Sequence, residues 1–204
     1  MIAIVTPCTR VGNLPEIYES IRRLSDPFIW VISMDKRVVS DDVTWEPDAA
    51  PDWPSKIVQL RSFNSDSRFG NSQRNLAVRH LKDELEYRDM IYYLDDDTLL
   101  HPNFQELLSW RRQNSHAKVV AFSQEMRAEF GYVRRLDIKS IEQFSVNNID
   151  TGCAIFHIDV AYAHPWRLYE YEADGYFYEE IREHHPMDIA IIPGCYSYYN
   201  ELVK

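Results

Sequence analysis

Two apolar, largely β-branched runs, Met1-Ile-Ala-Ile-Val-Thr6 and Phe28-Ile-Trp-Val-Ile-Ser33, flank a stretch in which Ile17, Ile21 and Leu24 recur at helical spacing. An unbroken apolar run is how a strand buried on both faces reads, whereas an amphipathic helix repeats its apolar residues every three or four positions. Asn13 and Pro15 are helix-start residues, Asp26-Pro27 ends the turn, and Pro7 breaks the first run. A strand, a helix and a second strand form a βαβ unit, whose crossover is right-handed in nearly all cases. The chain is thereby committed to an α/β fold whose sheet opens with parallel strands.

The rest of the chain extends that sheet. Asp35 to Ser55 holds Trp45, Pro47, Pro51, Trp53 and Pro54 without periodicity, which predicts a long irregular loop of the kind that tends to be functional. Ile57 to Leu60 is a third strand. Asn71 or Ser72 caps a helix through about Tyr87, with Ala77, Leu81 and Leu85 on one stripe. Met90-Ile-Tyr-Tyr-Leu94 is a fourth strand. His101 is a helix-start residue beside Pro102, which opens a helix through Trp110, and Val119 to Phe122 is a further strand. Met126 to Phe144 fits either a hairpin or an insertion.

At 204 residues with 45% hydrophobic content, the chain suits one domain with enough apolar surface to fold without disulfide or metal staples. The balance of 22 basic against 32 acidic residues leaves −10; with no local basic patch in the sequence, this disfavours nucleic acid and anionic lipid as partners. No run approaches the roughly 20 apolar residues that span a bilayer, and Ile2 to Val5 is too short for a signal-peptide core. Cys8, Cys153 and Cys195 are an odd number at unrelated spacings, which predicts packing thiols rather than a disulfide framework. The expectation is a cytoplasmic protein, or one domain of a longer chain.

The fourth apolar strand delivers Asp95-Asp96-Asp97, followed by Thr98. In a parallel α/β sheet, ligands bind beyond the carboxyl ends of the strands. Adjacent like charges repel unless a cation lies among them, and a hard divalent ion with carboxylate and phosphate oxygen ligands is the natural choice. A solvated turn is the plain structural alternative. Two enzyme classes use such a strand end. One is the haloacid-dehalogenase phosphatase with its Asp-x-Asp-x-Thr string, which would make Asp95 the nucleophile; the other is the GT-A glycosyltransferase, whose Asp-x-Asp holds a metal against a nucleotide-sugar diphosphate. The triplet alone does not choose between them, but three strands precede it, whereas the phosphatase motif usually lies on the first.

Ile4-Val-Thr-Pro-Cys-Thr-Arg10, Ser72-Gln-Arg-Asn75 opening a helix, and Tyr92-Tyr-Leu-Asp-Asp-Asp-Thr98 resemble, in order and spacing, the metal-dependent inverting β-glucuronyltransferase family of GT-A fold. Phe144-Ser-Val-Asn147 followed by Thr151-Gly-Cys-Ala154 looks like that family's acceptor-side strand. The resemblance spans roughly residues 2 to 181, and its Gln-Arg-Asn and triple-Asp pair is its specific part. It implies a single GT-A domain with a nucleotide-sugar-binding half over residues 1–100 and an acceptor-binding half carrying the base over residues 101–204. It also implies a UDP-sugar donor, a glycan acceptor and bound Mn²⁺ or Mg²⁺.

Residue by residue, the resemblance places Pro7, Thr9 and Arg10 near the nucleoside and Asp35 against the base's N–H. Arg74 falls on the diphosphate, Asp95 and Asp96 on the ribose and sugar side, and Asp97 on the metal. The family's catalytic base aligns with Asp174, where the family has Glu, and Glu172 is the alternative base. A second departure is the arginine that precedes Gln-Arg-Asn in the family: Phe69 stands at its position here, beside Arg68. The family's C-terminal His has no matching motif around His184 and His185. The tyrosine-rich end, from Tyr169 to Tyr199, offers stacking faces for sugar rings or core packing. The third reading is a nucleotide-sugar or glycan-binding module without turnover.

Overall fold

The computed structural model describes residues 1–40, 42–62, 70–86, 89–128 and 131–202, with the side chains of 134 and 135 left aside. Four parallel strands build the first half: β1 (Ile2–Cys8), β2 (Phe28–Asp35), β3 (Lys56–Ser62) and β4 (Met90–Tyr93), in the order β3-β2-β1-β4. Their continuous apolar runs follow from burial on both faces. Ile2, Ile4, Trp30 and Ile32 pack with Leu14, Ile17 and Ile21 of α1 (Leu14–Ile21). Their alternating neighbours Ala3, Val5, Ile29 and Val31 pack with Ala77, Val78 and Leu81 of α2 (Asn71–Leu81).

Eight further elements complete the fold: β5 (Leu99–Leu100), α3 (Phe104–Gln113), β6 (Val119–Ala128), β7 (Gly131–Leu136), β8 (Ala154–His157), α4 (Ile158–Ala163), α5 (Ala173–His184) and β9 (Ile189–Tyr199). Their strands join the same sheet in the order β4-β8-β6-β9-β5, with β7 hairpinned onto β6. β8 runs antiparallel to β4 and β6, while β9 runs parallel to β6. The sheet is therefore mixed, with most paired residues in parallel ladders.

Several local expectations shift. β1 continues through Pro7 to Cys8, because β4 runs alongside only as far as Val5 and leaves that edge open to a residue without an N–H. Helix α2 is preceded by Gly70 at φ 77°, not capped by a side chain of Asn71 or Ser72, and it ends at Leu81 instead of running to about Tyr87, itself outside the described residues: Lys82 to Glu84 leave the helix in a turn. Of the stretch expected as a strand, Ala154–His157 forms β8, while Phe144–Asn147 follows a 3-10 turn over Ile141–Gln143 and turns at Asn147, φ 68°. Cys8, Cys153 and Cys195 are all buried thiols. Among the described residues no helix is long and apolar enough to cross a membrane.

Candidate active site

Beyond the carboxyl ends of β1 and β4, two adjoining cavities of about 440 and 560 Å³ share Arg10, Arg74, Asp95 and Asp97. The smaller also takes in Pro7, Thr9, Asp35 and Asp96, and the larger takes in Glu172 and Asp174. All ten residues singled out from the sequence thus border one cleft, with the acidic triplet as the wall between its halves.

Asp96 fastens the loop after β1. Its carboxylate, buried at 6% exposure, accepts the backbone N–H and hydroxyl of Thr9 at 2.6 and 2.9 Å, and the backbone N–H and Nη1 of Arg10 at 2.8 Å each. Four donors occupy its oxygens, so Asp96 positions Arg10. The same Nη1 donates to Asp97 Oδ2 over 2.7 Å. One guanidinium therefore compensates two of the three repelling carboxylates.

The third carboxylate, Asp95, pairs with Nη2 of Arg74. Arg74 is buried in α2; its Nη1 donates to Asn71 Oδ1 over 3.0 Å, and its guanidinium lies 4.7 Å from the centroid of Trp166. Asn75, one position on, holds the Trp166 backbone from both sides, donating to its carbonyl over 2.9 Å and accepting its N–H over 2.8 Å. Asn71 donates to the Arg167 carbonyl over 2.8 Å. At helical spacing Asn71, Arg74 and Asn75 share one face, which docks the segment after α4 as a wall of the cleft. Gly70 lets Pro7 approach, since a Cβ there would lie 2.7 Å from Pro7 Cβ. Arg68 and Phe69 lie outside the described residues.

At the end of β2, Asp35 accepts Nε and the backbone N–H of Arg37, both at 2.9 Å, as well as Nη2. Arg37 holds this carboxyl below its ordinary range. Sequence reasoning missed Arg37, whose signal is its place two residues past a strand-terminal acid.

The opposite wall is acidic. Burial pushes Asp174 up to about 6, helped by the charge of Asp150, although Gly175 N–H donates to its Oδ1 over 2.8 Å. Asp95 is likewise raised to about 6 by burial, with Asp150 and Asp97 adding to the shift and Arg74 opposing it. Asp174 sits in the first turn of α5, and Glu172 holds the position before the helix without making a side-chain cap. Gly175 is needed where α5 meets residue 146, since a Cβ would come 2.9 Å from the Val146 nitrogen. Asp150 was also missed, though it immediately precedes the Thr-Gly-Cys-Ala string.

Of the tyrosines, Tyr171 and Tyr199 line the cleft. Tyr178 is buried, donating to the Thr151 carbonyl over 3.1 Å; Tyr176 lies under Arg167, and Tyr196 and Tyr198 pack in ring clusters. His184 and His185 end α5, about 15 Å along the helix from Asp174, and His185 Nε2 meets His164 Nε2 at 3.2 Å. Neither borders the cleft, whose lining holds no imidazole.

Among the described residues no three His, Cys, Asp or Glu side chains converge as a cage for a metal. A hard cation bound jointly with a diphosphate needs fewer, because Mg²⁺ takes one or two carboxylates and fills its shell with phosphate oxygens and water. Asp95 and Asp97 on the shared wall are donors of that kind, so the residues fit a divalent cation held together with a substrate diphosphate.

No protein-family model and no curated protein matches the chain. Solved structures do. Residues 1–349 of S. aureus TarS in complex with UDP superpose with a TM-score of 0.64 at 13% identity, over 97% of this chain and 59% of that one. The same segment in complex with UDP-GlcNAc gives 0.61 at 12% identity, over 97% and 57%. A candidate glucose-1-phosphate thymidylyltransferase of Bacillus anthracis in complex with sucrose gives 0.53 at 11% identity, over 96% and 86%. The chain spans about three fifths of the TarS segment. These likenesses establish the fold as GT-A, a mixed and mainly parallel α/β sheet.

Proposed function

We propose that this chain is a glycosyltransferase that moves a sugar from a UDP-sugar to a glycan hydroxyl, using Mn²⁺ or Mg²⁺ held with the donor diphosphate and inverting the anomeric centre. The observation that carries the reading is the meeting, in one cleft beyond the strand ends, of two guanidinium groups, Arg10 and Arg74, with a carboxyl of raised proton affinity, Asp174. The UDP and UDP-GlcNAc complexes of TarS support the donor class. The motif resemblance to inverting β-glucuronyltransferases supports the stereochemistry and the division into a donor half, residues 1–100, and an acceptor half, residues 101–204.

Each residue then has a task. The Pro7 to Arg10 loop and Asp35 border the nucleoside, with Arg37 fixing the orientation of Asp35. Arg74 pairs with the diphosphate, as a guanidinium does with phosphate oxygens, and Arg10 supplies a second positive charge. Asp97, with Asp95, would hold the cation, which would supply positive charge against the departing β-phosphate. Asp174 takes the acceptor hydroxyl's proton onto its carboxylate as the acceptor oxygen bonds to the anomeric carbon. The bond to the diphosphate breaks on the opposite face, and UDP leaves unprotonated. A carboxyl near 6 is ionised at neutral pH yet a stronger base than an ordinary aspartate. That property favours Asp174 over Glu172.

A UDP-release assay across a panel of UDP-sugars tests the proposal. One UDP-sugar should be turned over, with activity collapsing in Asp174→Asn. Hydrolysis of simple phosphate esters dependent on Asp95 would replace this reading with phosphatase chemistry, for which an aspartate clamped by Arg74 is a poor nucleophile. UDP-sugar binding without turnover, whatever the acceptor, would make the chain a binding module.

A further inference from the structure

Among the described residues, Arg111 is a buried cation without a counter-ion. It lies on α3 at 8% exposure, and its Nε has no hydrogen-bond partner among them. Among the described residues no carboxylate reaches its guanidinium. A buried charge is normally paired, because removal from water is otherwise costly. Its neighbours have partners: Arg112 pairs with Asp26, and Lys118 with Asp188 at 3.1 Å.

Arg111 borders a cavity of about 740 Å³ at the amino ends of β1 and β4, the end of the sheet opposite the acidic triplet. The length of β1 separates the two by about 20 Å. The volume falls within the range of about 300 to 1,000 Å³ typical of small-molecule sites. Ile2, Pro27, Met90 and Leu108 give the cavity an apolar wall; at its rim Arg112 is matched by Asp26 and Lys118 by Asp188, so the uncompensated charge among the described lining residues rests on Arg111.

We infer that this cavity is a second ligand site, taking a small organic anion whose carboxylate or phosphate pairs with Arg111 while its apolar body lies against Ile2, Met90 and Leu108. A guanidinium presents a planar fork that matches two anionic oxygens, and the apolar wall adds affinity only for anions that carry an apolar body. The site is independent of the sugar-transfer reading.

Calorimetry and thermal unfolding of the full chain with phenyl phosphate, benzoate, inorganic phosphate and benzyl alcohol test the inference. Phenyl phosphate or benzoate should bind one to one, at least tenfold more tightly than inorganic phosphate or the neutral alcohol. Arg74→Met, which alters only the cleft, should retain that binding, and Arg111→Met should weaken it at least tenfold. Without ligand, Arg111→Met should unfold at a higher temperature than the parent, since an apolar chain replaces an uncompensated buried charge. Arg111→Lys provides a second variant, keeping the charge but losing the fork, and should bind several-fold more weakly. The inference is overturned if no anion binds at millimolar concentration, if both Arg111 variants bind as well as the parent, or if binding is lost in Arg74→Met instead.

Discussion

Asp96 holds Arg10 at both ends, accepting its backbone N–H and its Nη1 over 2.8 Å each. A buried carboxylate with four donors anchors the loop after β1 at the rim of the cleft. Asp96→Asn keeps the shape but replaces an acceptor with a donor facing donors. The expected cost is about 2–3 kcal/mol, the scale for hydrogen bonds to charged groups left unmade. Urea unfolding should show a lower midpoint at unchanged slope, with UDP affinity lowered because Arg10 is no longer positioned.

Arg74 stands between Asp95 and the Trp166 ring. Arg74→Met should weaken UDP binding roughly 10- to 100-fold, the equivalent of about 1.5–3 kcal/mol for a charge-assisted contact. Calorimetry reads this directly. Unchanged affinity would remove Arg74 from the diphosphate site.

The raised proton affinity of Asp174 carries a signature in rate and another in stability. Turnover should rise with pH through about 6 as the base ionises, and Asp174→Asn should lower it roughly 10²-fold or more at unchanged donor affinity. For stability, the folded value lies above the ordinary 3.8, so the native state binds the proton more tightly than the unfolded chain. That contribution is complete below about 4 and is lost as pH rises through about 6. Asp174→Asn should therefore be more stable than the parent at pH 7.5, by on the order of 1–3 kcal/mol, with the difference closing near pH 4. A difference that widened on acidification would contradict the assigned shift.

Gly175 admits the close approach of residue 146 to the first turn of α5. Gly175→Ala should displace Asp174 and lower kcat while donor affinity holds, at a stability cost of about 1–3 kcal/mol from overpacking. Steady-state kinetics beside a UDP titration separate the two effects.

The first half of the chain was legible because its signals are local. The apolar runs at Ile2 and Phe28 are buried on both faces, and the acidic triplet follows directly from a strand. The second half was less so. β6 is paired on both sides over Val119–Ala121 but continues to Ala128 with β7 and β9, where its residues become partly exposed and the pattern fades. β9 contains Pro193 and Gly194, which read as a break although the strand passes through them. Site residues found from sequence were those in contiguous strings. Arg37, Asp150 and the Asn75 clasp on Trp166 depend on distant segments meeting, and so does the pairing of Arg10 with Asp96 and Asp97. Three adjacent aspartates suggested an intervening metal, while the fold also supplies two arginines to balance them.

Titration of UDP into the protein, first with Mn²⁺ and then with a chelator, tests the central claim most directly. The account predicts one-to-one binding in the micromolar range that disappears on chelation and is absent in Asp97→Asn. Failure of UDP to bind in either condition would contradict a nucleotide-sugar site, and binding indifferent to both chelator and Asp97→Asn would contradict the shared cation.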